Sequence, residues 1–147
     1  IIYSGTMAAV FEGALAGVPS VGFSLNNYSL RADFAPSEAF VTQIAGEVIA
    51  RGLPPGVCLN VNIPDKPASR VRGIKVCRQA AGTWEEDFDG REDPHGRKYY
   101  WMKGVFVQTG NGEDTDQWAL ENDYVAVVPV QFDFTAHDAI LPLTSRF

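Results

Sequence analysis

The feature that most constrains the fold is a change of period around Leu53-Pro54-Pro55-Gly56. Before it, Phe40, Val41, Ile44, Val48 and Ile49 fall on one face of a helix expected over Pro36 to Arg51, with proline suited to a first turn and Gly52 placed to cap the end. After it, Val57, Leu59, Val61 and Ile63 alternate with Cys58, Asn60 and Asn62, the two-residue period of a strand with one apolar face, and Pro64 closes that strand. A helix and a strand that each bury one side need a shared sheet between them.

The same pairing occurs earlier in the chain. Met7, Val10, Phe11, Ala14, Leu15 and Val18 recur at three- and four-residue steps, Gly17 and Pro19 end that helix, and Val18 to Leu25 reads as a short buried strand. Ile1, Ile2 and Tyr3 read as the last residues of another buried strand, so the chain is expected to be a fragment. Strands alternating with helices of this length imply βαβ units and a mostly parallel sheet covered on both sides.

Beyond Asp65 no long helical stripe returns, and β-rich runs stand at Val71 to Cys77, Lys98 to Gln108 and Tyr124 to Phe134. Residues 1–64 are thus expected to supply core βαβ units, 65–110 a β-rich hairpin extension, and 111–147 a C-terminal strand and tail. The stretch "TWEEDFDGREDPHG" reads as a projecting acidic hairpin with its turn at Asp89-Gly90. Pro129 inside the last run implies an edge position or a bulge.

Twelve basic residues against 18 acidic ones leave a formal charge of −6, which argues against duplex nucleic acid and anionic membranes as partners. Cys58 and Cys77 fit neither a disulfide framework nor a CxxC motif, so a reducing, cytoplasmic setting is expected. No apolar run approaches the ~20 residues that span a bilayer.

Ser4-Gly5-Thr6 is the stretch best placed for chemistry. At a strand-to-helix turn the first N–H groups lack partners, the helix dipole adds positive charge, and glycine admits an anion close to the backbone. Ser4 and Thr6 hydroxyls add donors, so the turn suits a phosphate. A plain helix cap, worth ~1 kcal/mol, uses the same residues and is the more economical reading from spacing alone.

Other sites are weaker. Ile2 stands where a hydrolase nucleophile elbow needs glycine, and Gly96 where a calcium loop needs its twelfth-position Glu. His95 and His137 lie far from each other and from both cysteines, without zinc-ligand spacing. Gly110-Asn111-Gly112 reads as a loop, since Thr115 replaces the third glycine of a dinucleotide fingerprint. Asn60 and Asn62 share a strand face near its end, where hydrogen bonds to loop backbone are the simpler role and ligand contacts the other. Trp84, Tyr99, Tyr100 and Trp101 either stack a base or anchor the hairpin against the body or another subunit, and an interface is the better reading.

Taken together, "YSGTMAAVFEGALAGVPSVGFSL" at 3–25, "LNVNIPD" at 59–65, "DPHGRKYYWMKG" at 93–104 and "TDQWALENDYVAVVPVQFDFT" at 115–135 resemble, in order and spacing, the SurE family of metal-dependent nucleotidases. The resemblance implies an α/β, Rossmann-like three-layer core with a mostly parallel sheet and a β-hairpin extension. It also implies hydrolysis of nucleoside 5′- or 3′-monophosphates with one divalent metal, Mg or Mn. Its ligands, an Asp-Asp pair, a serine and an asparagine, are expected upstream of this chain, so the chain corresponds to the C-terminal part and is expected to be inactive alone. Ser4, Gly5 and Thr6 match the family's phosphate-facing turn, and the hairpin and C-terminal segment its subunit contacts, so a homo-dimer or homo-tetramer is expected. A non-catalytic phosphate- or nucleotide-binding module, or an oligomerisation module, is the alternative.

Overall fold

The period change reappears as α2, Glu38–Arg51, followed by β2, Val57–Ile63. A 3₁₀ turn at Ala35–Ser37 carries Pro36 into α2, and the helix ends at Gly52, whose φ of 71° and N–H bond to the Val48 carbonyl (2.8 Å) terminate it. The computed structural model describes residues 1–110 and 112–147; the loop expected at Gly110-Asn111-Gly112 therefore lies partly outside the described residues.

In chain order the remaining elements are α1 (Gly5–Leu15), β1 (Val21–Leu25), β3 (Gly73–Val76), β4 (Gly82–Glu92), β5 (Lys98–Gln108), α3 (Asp116–Glu121), β6 (Tyr124–Gln131) and α4 (His137–Thr144). The main sheet has the order β1-β2-β6-β3. β1 pairs with β2 and β3 with β6 in parallel, while β2 and β6 run antiparallel.

Alternation sorts the side chains into two cores. Val61, Ile63, Val125 and Val127 meet Ile44 of α2 on one face, with Phe23, Leu59 and Ile74 packed around them. On the other face Cys58 lies under Met7 and Val10 of α1, and Ala126 and Val128 lie under Ala119 of α3. The result is a helix–sheet–helix sandwich with α2 on one side and α1 and α3 on the other.

The structure departs from the sequence reading at several points. Ile1–Tyr3 are not in a strand: the Ser4 N–H donates to the Ile1 carbonyl (3.0 Å), closing a turn, and no described strand pairs with them. The hairpin reverses at Asp93–Arg97, not at Asp89-Gly90, because Gly90 sits within the ladder opposite Tyr100. Asp93 builds that turn, its Oδ1 accepting the N–H groups of His95 (2.8 Å) and Arg97 (2.9 Å), and Gly96 supplies the φ of 76°. Pro129 opposes Leu59 beyond the last β3–β6 pair, Val76–Val127, so only one side of β6 is laddered there. The short helices α3 and α4 fall in the half read as β-dominated.

Candidate functional site: the first turn of α1

Ser4 has extended dihedrals (φ −81°, ψ 117°), and its Oγ accepts the N–H of Met7 at 3.2 Å. Its carbonyl accepts the N–H of Ala8 at 2.9 Å. The cap therefore satisfies one orphan donor, the Met7 N–H, and the Ile1 carbonyl accepts another, the Ser4 N–H. Among the described residues the N–H groups of Gly5 and Thr6, and the Thr6 hydroxyl, have no partner.

That first turn is open to a ligand. Gly5 and Thr6 are exposed, and a Cβ built on Gly5 meets nothing within 4 Å. No acidic residue occupies the first turn of this 11-residue helix, so its positive dipole end is uncompensated by a carboxylate of its own. Below, Thr6, Ser20, Gly22 and Phe23 border a cleft of about 360 Å³. The cap thus leaves free the atoms that an anion would use on the same three residues, so the two readings do not compete.

The other sequence candidates separate in space. His95 lies exposed at the hairpin turn, and His137 pairs with Asp133 (Nε2–Oδ2 2.9 Å). The stretch Glu85–Gly96 runs along a strand into the hairpin turn, its residues alternating between faces, so it cannot wrap a calcium ion. Both cysteines are buried free thiols whose pKa burial pushes up, leaving them unreactive. Among the described residues no three His, Cys, Asp or Glu side chains converge as a metal site.

Asn60 and Asn62 are half-buried on the α1 face of β2 and, contrary to expectation, make no side-chain hydrogen bond among the described residues. The expected loop carbonyls do not reach this mid-strand position. The hairpin aromatics divide by register. Trp84, Phe88, Tyr100, Met102 and Phe106 share one face, while Tyr99 and Trp101 lie on the other, where Arg91 stacks on Trp101 at 5.6 Å. Sequence reading missed a further group, Gln79, Phe106 and Asp116, which gathers beside Asn60 from separate segments. No local motif links residues so far apart in the chain.

Residues 1–86 match the family described as Survival protein SurE. The chain belongs to the SurE family. It is 55% identical over 145 residues to the protein named 5′-nucleotidase SurE of Christiangramia forsetii, covering 99% of this chain and 56% of that relative. It is 52% identical to the protein of the same name from Flavobacterium psychrophilum, with the same shares covered. The crystal structure of the SurE protein from Aquifex aeolicus superposes with a TM-score of 0.79 at 32% identity, over 99% of this chain and 58% of that one. The SurE chain described here therefore carries the family's α/β fold and spans somewhat more than half the length of the curated relatives it matches.

Proposed function

We propose that this chain supplies the phosphate-holding part of a SurE nucleotidase that hydrolyses nucleoside 5′- or 3′-monophosphates to nucleoside and phosphate. The observation that carries the reading is the pair of uncommitted N–H groups on Gly5 and Thr6, with the Thr6 hydroxyl, at an open helix start free of acids. Relatives named 5′-nucleotidase support it. The Ser4-Gly5-Thr6 turn holds the non-bridging oxygens of the ester and neutralises charge that grows as the phosphoryl group transfers. These donors are fixed by the cap before substrate arrives, so no reorganisation is needed.

A divalent ion, Mg²⁺ or Mn²⁺, belongs to the proposal with ligands upstream of Ile1. The described residues offer no donor set for it. The 147 residues alone are accordingly expected to show no phosphatase turnover with either ion; measurable turnover refutes that assignment. In the complete gene product, Thr6→Ala is expected to lower kcat/KM for adenosine 5′-monophosphate about a hundredfold with the fold intact. Unchanged turnover removes Thr6 from the site.

The hairpin favours a second, compatible role in self-assembly. An isolated two-stranded ribbon is marginal in water, yet Trp84, Phe88, Tyr100 and Met102 line one face of it and stay 57–69% exposed. A second copy of the chain covers that stripe in the proposed dimer or tetramer, together with the exposed Leu141 and Phe147 of the C-terminal segment. A cytoplasmic location is part of the same proposal, consistent with two free thiols; among the described residues no helix is long and apolar enough to cross a membrane.

A further inference from the structure

Between α1 and α3, on the face of the sheet opposite α2, lies a hollow of about 170 Å³ whose floor is Asn60. Its walls are Gln79, Phe106 from the base of the hairpin, and Asp116 at the start of α3. We infer that this hollow holds the nucleobase of the substrate, with the ring against Phe106 and its polar edge on Asn60, Gln79 and Asp116. The inference rests on the nucleotidase reading and adds to it a site for the base.

Three observations carry it. The first is size: drug-sized ligands occupy pockets of roughly 300 Å³ or more, so this hollow suits a single ring system and not a whole nucleotide. The second is chemistry. Asp116 is held in place because its Oδ1 accepts the N–H groups of Ala80 and Gln117, both at 2.8 Å, and its Oδ2 has no partner among the described residues. The amides of Asn60 and Gln79 are equally uncommitted there, while that of Gln117 is turned away to Glu121 at 3.1 Å. Two amides and a carboxylate oxygen beside an aromatic ring match the donor and acceptor edge of a base with an exocyclic amine.

The third observation is position. Asn60 is the register partner of Gly22, and a Cβ on Gly22 would stand 3.1 Å from the Thr6 methyl. Ile1, whose carbonyl accepts the Ser4 N–H, also borders the hollow. The hollow and the phosphate-holding turn are thus separated by one to two strand spacings, about 5–10 Å, the gap that a ribose spans between base and phosphate.

The test uses the complete gene product, loaded with its metal, and compares kcat/KM for adenosine 5′-monophosphate with that for ribose 5-phosphate, which lacks the base. Phe106→Ala and Asn60→Ala are each expected to lower the ratio of the two by about tenfold, since losing one stacking or edge contact to a base has roughly that effect. Phe106 is 46% exposed, so its variant folds even if Asn60→Ala does not. Ratios within twofold of wild type in both variants overturn the base site while leaving the nucleotidase reading standing. A wild-type protein that hydrolyses neither ester overturns the nucleotidase reading and this site with it.

Discussion

Replacing Gly22 with alanine tests whether the turn of α1 is positioned by the sheet beneath it. A methyl at Gly22 would lie 2.9 Å from Val10 Cγ2, 3.0 Å from Met7 Sδ and 3.1 Å from Thr6 Cγ2. Favourable carbon contacts fall at about 3.5–4.0 Å, so all three neighbours must retreat by about 0.5–1 Å. Val10 and Met7 are 7% and 1% exposed and have nowhere to go singly, so the first turns of α1 move as a body. Overpacking of this kind costs about 1–3 kcal/mol, or a midpoint drop of about 2–4 °C per kcal/mol for a chain of this size. Because Thr6 rides on the displaced turn, the complete protein is expected to lose activity well below its melting range, by up to about a hundredfold for a 1 Å displacement. Gly46→Ala is the control. It sits exposed in α2 with nothing within 4 Å of the added methyl, so the same substitution is expected to stabilise by about 0.5–1 kcal/mol. Urea denaturation and phosphatase turnover on both variants decide the matter. A Gly22→Ala protein with wild-type stability and turnover refutes the claim that sheet contact sets the turn.

Three further outcomes follow from the geometry. Asp93→Ala removes the acceptor of the His95 and Arg97 N–H groups, so amide exchange at the hairpin tip should accelerate while β2 stays protected; uniform protection throughout would count against the turn described. Asp133 is held down to about 2, first by the Thr135 hydroxyl, then by the Thr135 N–H and by His137. Its folded value lies below the ordinary ~3.9, so its contribution to stability is present above that value and is lost as pH falls through about 2; a carboxyl seen by NMR to titrate at the ordinary value excludes these bonds. Phe88→Lys places a charge in the exposed stripe of the hairpin and is expected to lower the assembled mass of the complete protein measured by light scattering, whereas an unaltered mass excludes that face from the subunit contact.

What could be read from the residues divides by the range of the forces involved. β2 and β5 occur with the same bounds as their sequence patterns, because a period-2 alternation or a dense β-branched and aromatic run carries its own preference wherever it is placed. The hairpin turn was misplaced because Asp-Gly is only a local signal. The ladder from Gly82–Gln108 to Glu92–Lys98 fixes the register over the whole ribbon and puts Gly90 inside it. α3 has six residues, fewer than two turns, and so never shows a stripe, although Thr115 caps it by accepting the Trp118 N–H at 3.2 Å. The Ser-Gly-Thr turn was legible as a capped helix start because its cap and free donors are consecutive in the chain. The hollow above Asn60 was not, since Asn60, Gln79, Phe106 and Asp116 meet only through tertiary pairing.

That pairing depends on β6, which enters the sheet between β2 and β3. Val125 and Val127 complete the core under α2, while Ala126 and Val128 complete the one under α3, so this one strand joins both layers. Asn60 is laddered to Gly22 on one side and Val128 on the other, and both neighbours are fixed by buried packing. The ladder fixes the depth of the Asn60 backbone, and its half-buried amide keeps access to solvent, so its donor and acceptor are free for a ligand. The second half of the chain therefore does more than extend the first: it sets Gln79, Phe106 and Asp116 around Asn60, one strand away from the turn proposed to hold the phosphate.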